Sequence, residues 1–222
     1  MVIYIPWKND EWDAQDYINN LSFVATLATK VTEWLDPQPD DHILDLGCGA
    51  NGQGTVHGID TSRSMVNAAW DLARRYCLVP GGTFVFEMGG QGNIAEARAL
   101  MLSAVARKIK AAPDALLETW FFPDEAWIRD MLEVKVGGFK VERSEMEWRP
   151  TKIDGEGGLY GWVKLVGGQL FGLIKSEARR EEAIQEVVKL LEIVCRRELE
   201  NEGGEVGYVM NYVRLRVIAR KL

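Results

Sequence analysis

Two short segments near residue 50 carry residue types that suit nucleotide chemistry. Residues 41–49 form an apolar strand pattern that ends in Gly47 and Gly49, and residues 56–60 form a second pattern that ends in Asp60. Glycines let backbone N–H groups approach a ligand closely, and a carboxylate that ends the next strand can accept hydrogen bonds from two ribose hydroxyls. The pairing therefore predicts a nucleoside-binding site.

Composition excludes several other classes of protein. The chain has 222 residues and a net charge of -7 with interspersed signs, which argues against nucleic acid as a partner. The three cysteines, Cys48, Cys77 and Cys195, show no C-x-x-C spacing. We therefore expect no disulfide framework and no metal site, and we expect the protein to be cytoplasmic. No stretch approaches the ~18 apolar residues of a membrane span, so no membrane partner is expected.

Strand patterns alternate with helix patterns through the first half of the chain. Helices are predicted over 21–35 and 62–76, and a strand buried on both faces is predicted over 83–88. Asn93 and Glu96 resemble a capping box at the start of a further helix. This alternation predicts an α/β fold with a Rossmann-like, open, mainly parallel sheet and helices on both faces.

The second half predicts two strands that flank a helical and aromatic insert. The first strand covers 139–148 with one phase slip, and the last covers 208–219 with Arg214 and Arg216 on one side. Between them, residues 155–172 are glycine-rich and read as irregular, and a long helix is predicted over 176–201. Its apolar stripe comprises Ile184, Val187, Leu191 and Val194. We expect one domain over 1–222, with about 150–205 as the insert.

The chain resembles class I S-adenosylmethionine-dependent methyltransferases, and within them the trans-aconitate methyltransferase-like enzymes. The likeness rests on the glycine strand, on the Asp-ended strand and on residues 78–93, 120–124 and 211–215. It implies S-adenosyl-L-methionine as the cofactor. The residues that it places at the cofactor are Asp45, Gly47, Cys48, Gly49, Asp60, Thr61, Ser62 and Met65. Cys48 is expected simply to be small and buried.

The sequence departs from this family pattern at two places. Only six residues separate Gly49 from Val56, whereas a parallel crossover takes a dozen or more. The helix predicted to end near Tyr76 runs almost directly into Pro80, where the family has two further strands. We therefore expect a fold that is shortened relative to the methyltransferase fold. Three explanations are open: a rearranged sheet, an edge completed by a second subunit, or a chain shortened by alternative splicing or a faulty gene model.

The predicted acceptor is a small molecule that carries a carboxylate or a hydroxyl group. An apolar wall with one cation suits such a ligand. The residues of this wall would be Trp120, Phe121, Tyr160, Trp162, Tyr212 and Arg214, although simple core packing also explains them. Neither His42 nor His57 is placed to act as a base, so the catalytic residues stay unassigned.

Three functions are compatible with these patterns. The first is a small-molecule methyltransferase. The second is a shortened relative that does not transfer methyl groups and acts as a binding or scaffold subunit or as a cofactor-independent cyclase. The third, a nicotinamide-dependent oxidoreductase, is disfavoured because Gly52, the third glycine of its motif, falls in an abnormally short loop. A homo-oligomer is compatible with the first two functions.

Overall fold

The computed structural model describes residues 29–36, 38, 80–198 and 206–222, with the side chains of 117–119 excluded. The strand patterns at 41–49 and 56–60 and the helix predicted over 62–76 lie outside the described residues. Helix α1, Thr29–Leu35, falls within the helix predicted over 21–35. The rest of the described chain is a mixture of strands and helices, which confirms the α/β class.

Eleven further elements follow α1 in the described residues. In chain order they are β1 (Thr83–Gly89), α2 (Ala95–Ile109), a 3-10 helix (Pro113–Thr119), α3 (Glu125–Asp130), a π-helical segment (Met131–Val136), β2 (Phe139–Lys152), α4 (Gly158–Val166), α5 (Gly168–Phe171), α6 (Glu177–Val194), β3 (Arg196–Glu198) and β4 (Val206–Lys221).

The described strands form a four-stranded sheet in the order β1-β4-β2, with β3 also pairing with β4. β1 is antiparallel to β4, and so is β3. β2 is antiparallel to β4 as well, because the Leu222 amide bonds the Gly138 carbonyl whereas the Ile153 amide bonds the Tyr208 carbonyl. The described pairing is thus antiparallel, and not parallel as predicted, because the last strand enters between two earlier ones and runs opposite to both.

The described chain divides into two compact units. The first contains residues 94–119, 150–198 and 206–211, and the second contains 29–36, 80–93, 120–149 and 212–222. In the first, α2 packs against α6, and α4 packs against α6 as well. In the second, a core cluster forms between the sheet and the segment of α3 and the π-helix. Its buried members are Ile128, Leu132, Phe139, Val141, Leu215, Val217 and Ala219.

Strand β1 has the predicted position but not the predicted burial. Its residues from Thr83 to Met88 are only half-buried, whereas the sequence predicts a strand covered on both faces. Phe84, Phe86 and Met88 pack against the core cluster, and Glu87 lies on the other face. The apolar run misleads because only its alternate residues, Phe84, Phe86 and Met88, pack against the core cluster.

The predicted phase slip in β2 is confirmed. Phe139 and Val141 belong to the core cluster, and Met146, of opposite parity, packs against the same cluster. Since side chains alternate between faces along a strand, the alternation must shift by one residue between 141 and 146. The shift turns Glu145 and Glu147 away from the core and towards the face that carries Glu87. The strand also continues past Pro150, where we expected it to end.

The capping box predicted at Asn93 and Glu96 is wrong. α2 begins at Ala95, and Ile94 takes the N-cap position with φ 46 and makes no side-chain capping bond. Asn93 Oδ1 instead accepts a hydrogen bond from the Val213 amide at 2.9 Å. Glu96 Oε1 accepts one from the Asn211 amide at 2.8 Å. Both side chains therefore satisfy backbone donors of β4, a contact that local sequence cannot reveal.

Two boundaries in the insert also differ from prediction. The glycine-rich stretch forms α4 and α5, because Trp162, Val163 and Leu170 provide buried side chains at helical spacing. α6 ends at Val194 and not near Asn201, since the chain turns into β3 directly after Cys195. Of its predicted stripe, Ile184, Val187 and Leu191 are buried and Val194 is exposed.

Candidate functional site

All eight predicted cofactor-binding residues lie outside the described residues. They are Asp45, Gly47, Cys48, Gly49, Asp60, Thr61, Ser62 and Met65. His42 and His57 also lie outside. Among the described residues, the end of β1 and the turn that follows it belong to the segment, 78–93, that contributes to the resemblance.

The turn after β1 is fixed by hydrogen bonds to neighbouring segments of the second unit. The Gly90 amide donates to the Val213 carbonyl at 2.9 Å, and the Gln91 amide donates to the Pro123 carbonyl at 2.9 Å. Asn93 Oδ1 accepts from the Val213 amide. Val213 is thus held through both its amide and its carbonyl, which sets the position of the turn against β4.

Gly89 and Gly90 leave space that the protein's own side chains fill. A Cβ at residue 89 would lie 2.7 Å from the Phe122 ring, and a Cβ at residue 90 would lie 2.6 Å from the Met146 sulfur. Both distances are shorter than carbon contacts allow. A side chain at residue 89 would displace the Phe122 ring, and one at residue 90 would displace the flexible end of Met146. The Gly90 amide bonds within the chain.

A buried charge cluster lies on the sheet face opposite the core cluster. The Arg216 side chain is 0% exposed, and it is surrounded by the carboxylates of Glu87, Glu145 and Glu147. Its Nε donates to Glu87, and its Nη1 donates to Glu147 and, at 3.2 Å, to Glu145. Its Nη2 has no hydrogen-bond partner among the described residues.

Two further cations balance the charge of this cluster. Arg214 Nε donates to Glu87 Oε1 at 2.8 Å, and Lys30 of α1 donates to Glu145. Glu87, only 4% exposed, therefore binds both arginines. Burying charges is costly unless they are paired, and here each of the three carboxylates has at least one cationic partner. The cluster is suited to joining β1, β4, β2 and α1.

The lowered pKa of Glu145 argues against a role for this residue in proton transfer near neutral pH. The hydrogen bond from Lys30 is the main cause of a lowered pKa of Glu145, and the charges of Lys30, Arg216 and Arg143 lower it further. A carboxylate whose pKa is lowered is a poor proton acceptor and carries no proton to donate. Glu145 therefore acts as a fixed negative charge.

Four of the predicted acceptor residues lie in the second unit. Trp120 and Tyr212 are buried. Phe121 packs edge-on against Trp127, with ring centroids 4.6 Å apart, beside the core cluster. Arg214, expected to hold the acceptor's carboxylate, already binds the carboxylate of Glu87. Contact of these residues with an acceptor stays a prediction.

The other two predicted acceptor residues lie in the first unit. Trp162 is fully buried in α4. The Tyr160 hydroxyl donates to Glu181 of α6 at 3.0 Å, and burial and this bond together raise the pKa of Tyr160. Both side chains therefore contribute to the packing of α4 against α6. Their contact with an acceptor is likewise a prediction.

The charge cluster was missed by sequence reasoning, although a signal for it exists. Arg214 and Arg216 alternate with apolar residues in β4, which places both on one side of the strand. Glu145 and Glu147 show the same spacing in β2, and Glu87 is the one charged residue of β1. Opposite charges at alternate positions of three strands indicate cross-strand pairing instead of exposure.

Metal ligation and membrane insertion find no support in the described chain. No group of three or more His, Cys, Asp or Glu side chains there is arranged to hold a metal ion. None of the described helices combines the length and the apolar character that crossing a membrane requires.

Comparison with known proteins gives one informative relative. No family model matches the chain. The chain is 26% identical over 276 residues to "Uncharacterized methyltransferase C70.08c" of Schizosaccharomyces pombe (strain 972 / ATCC 24843), and the match covers 96% of this chain and 98% of the relative. This similarity supports a relationship to methyltransferases and does not distinguish the trans-aconitate methyltransferase-like subgroup.

The length of the alignment is informative about the segments that the sequence lacks relative to the methyltransferase pattern. It extends over 276 residues, whereas the chain has 222, so some positions of the relative have no counterpart here. This is the outcome that a shortened version of the methyltransferase fold predicts.

Proposed function

We propose that the protein is an S-adenosyl-L-methionine-dependent methyltransferase that acts on a small-molecule acceptor. The observation that carries the proposal is the similarity to a named methyltransferase along 96% of the chain. The glycine strand and Asp60 also support it, because their residue types suit a nucleoside ligand without reference to any relative. The acceptor would carry a carboxylate or a hydroxyl group.

The residue types proposed at the cofactor fit its chemistry. The Asp60 carboxylate can accept hydrogen bonds from the two ribose hydroxyls, and Gly47 and Gly49 expose backbone amides without a side chain in the way. When bound, the cofactor supplies a methyl group on a sulfonium, which is already a strong electrophile. The chain then has to orient the acceptor and exclude water, and a carboxylate acceptor would need no general base.

The described residues contribute rigidity to this proposal. The turn after β1 is fixed to Val213, and Glu87 binds two arginines of β4. A small misplacement of bound reactants costs a large factor in rate, so a rigid sheet is useful to a transferase. We assign no proton transfer to the charge cluster.

Native mass spectrometry of the purified protein tests the proposal. We expect a retained mass that matches S-adenosyl-L-methionine or S-adenosyl-L-homocysteine. Asp60→Ala should lose it, whereas the exposed Asp154→Ala should retain it. A folded wild-type protein that carries and accepts neither molecule would refute the proposal.

A shortened relative that binds ligands without transferring methyl groups is the second candidate. The positions of the relative that have no counterpart here favour it, because the predicted deletions fall on the cofactor side. If the protein binds S-adenosyl-L-homocysteine but transfers no labelled methyl group to any acceptor in a broad panel of small carboxylates and hydroxyl compounds, this candidate replaces the first.

A further inference from the structure

The last two turns of α6 expose an apolar surface in the first unit. Leu190, Ile193 and Val194 are exposed there, and Val206 at the start of β4 is exposed beside them. Ile193 is 76% exposed. We call these four residues the α6-end patch. The opposite side of the helix carries its buried residues, so α6 is apolar on two sides at this end.

A groove runs along one side of the α6-end patch. It has a volume of about 650 Å³ and is lined by Ile193, Val206, Tyr208, Lys189, Glu192 and Arg196. A contiguous apolar surface rimmed by charged residues is typical of a protein–protein contact, whereas single exposed apolar residues are ordinary.

The charges along α6 differ between its two ends. Near the start, Glu182 binds Lys108 of α2 at 2.7 Å, and Glu186 binds Arg107. Lys189 and Glu192, beside the α6-end patch, form no ion pair with any residue of the described chain. An unpaired positive charge and an unpaired negative charge therefore stand one helical turn apart on the rim of the groove.

This arrangement is complementary to itself. Across a two-fold axis, residue i of one copy faces residue j of the other, and residue j faces residue i. If two α6 helices pack antiparallel about a point between residues 190 and 191, Lys189 of each copy lies opposite Glu192 of the other. Both charges are then paired, Leu190 lies next to the dyad, and Ile193 lies within one helical turn of it.

We propose that the α6-end patch binds the same surface of a second copy of this chain, with the two α6 helices antiparallel. The occupant is a second copy because the patch supplies both members of each ion pair, which an unrelated partner would have to match separately. The proposal rests on α6 and β4 alone and does not depend on the proposed function.

Charge reversal provides a sharp test by sedimentation velocity over a range of protein concentrations. In a dimer of the Lys189→Glu variant, both opposed pairs consist of two carboxylates. In a dimer of the Glu192→Lys variant, both opposed pairs consist of two ammonium groups. Each variant should weaken dimerisation by about tenfold. An equimolar mixture of the two variants should form a mixed dimer with wild-type affinity, because every opposed pair then has opposite signs. The double variant Lys189→Glu/Glu192→Lys should also dimerise as wild type does.

One disruptive variant and two control variants distinguish loss of the interface from loss of folding. Ile193→Glu should weaken dimerisation by about a hundredfold, while Val134→Glu, on an exposed apolar residue of the second unit, should leave it unchanged. Glu177→Lys, a charge reversal at the start of α6, should also have no effect. Thermal unfolding checks that each variant is folded.

Three results would overturn the proposal. They are a wild-type protein that stays monomeric up to about 100 μM, a dimer that Ile193→Glu does not weaken, and a mixture of the two reversed variants that associates no better than either alone.

Discussion

Glu87 of β1 lies directly across the sheet from Arg216 of β4, and the two side chains bind each other in a position closed to solvent. Arg214 binds the second oxygen of the same carboxylate. A single acid thus holds two arginines of the neighbouring strand. Since both Glu87 and Arg216 are buried, neither can lose its partner without leaving a charge that water does not reach.

We predict that Arg216→Met lowers the free energy of unfolding by about 3–5 kcal/mol, because it strips Glu87 and Glu147 of their main cation. Urea unfolding followed by circular dichroism measures the loss. Arg220→Met is the matched control, since Arg220 lies on the same face of β4 but pairs with Glu142 in an exposed position, so its loss should cost far less. Equal losses for the two variants would contradict the account.

The ion pair between Glu87 and Arg216 should also couple the effects of substitutions at these two residues on stability. Glu87→Met combined with Arg216→Met should cost less than the two single losses added together, with a coupling of about 1–3 kcal/mol. Simple additivity would mean that the contact contributes nothing beyond the packing of two side chains.

Acid should destabilise the protein through Glu145. Its pKa is lowered in the folded state, chiefly by the hydrogen bond from Lys30, so its contribution is present above the unfolded pKa and disappears as pH falls through the folded one. We expect the urea midpoint to fall between about pH 5 and pH 3. Lys30→Met should make this fall shallower, because Glu145 then titrates nearer its ordinary value. An unchanged pH dependence in Lys30→Met would exclude this explanation.

Gly89→Ala should destabilise the turn after β1. The added Cβ would lie 2.7 Å from Phe122 and 2.8 Å from the Asn93 amide, so the ring and the side chain that binds Val213 must both move. We expect a loss of about 1–3 kcal/mol. Gly168→Ala is the control, because its Cβ meets no atom within 4 Å and alanine favours a helix. Chemical denaturation compares them, and a neutral Gly89→Ala would show that the turn adjusts freely.

Cys195 should resist alkylation while the protein is folded. Burial, and then the charge of Glu96, raise the pKa of its thiol to about 11, so little thiolate exists at mildly alkaline pH. After iodoacetamide treatment, peptide mass spectrometry should find Cys195 unmodified in the native protein and modified in urea. Labelling at equal rates in both states would contradict its burial.

Sequence predicted the elements whose signal is local and failed where the signal lies in another strand. β1, β2 and β4 follow from apolar runs, alternation and flanking glycines, and even the phase slip of β2 was visible. Asn93 and Glu96 looked like a capping box because the amides that they satisfy, at Val213 and Asn211, are about 120 residues away in sequence. No local pattern encodes such a partner.

The residues of the candidate site show the same difference between local sequence signals and contacts with distant strands. Alternation in the sequence assigns Arg216 to one face of β4 but cannot say that Glu87, Glu145 and Glu147 cover it. Arg214 was selected as a cation for the acceptor because its carboxylate partner in β1 was unknown. The proposed cofactor residues, in contrast, lie in two short motifs, 45–49 and 60–65, which a sequence can show directly.

Calorimetric titration with S-adenosyl-L-homocysteine tests the central claim most directly. We predict saturable one-to-one binding to the wild-type protein, at least tenfold weaker binding to Asp60→Ala, and unchanged binding to Asp154→Ala. No detectable heat at millimolar ligand, from a protein that circular dichroism shows to be folded, would contradict the claim that this chain is a methyltransferase.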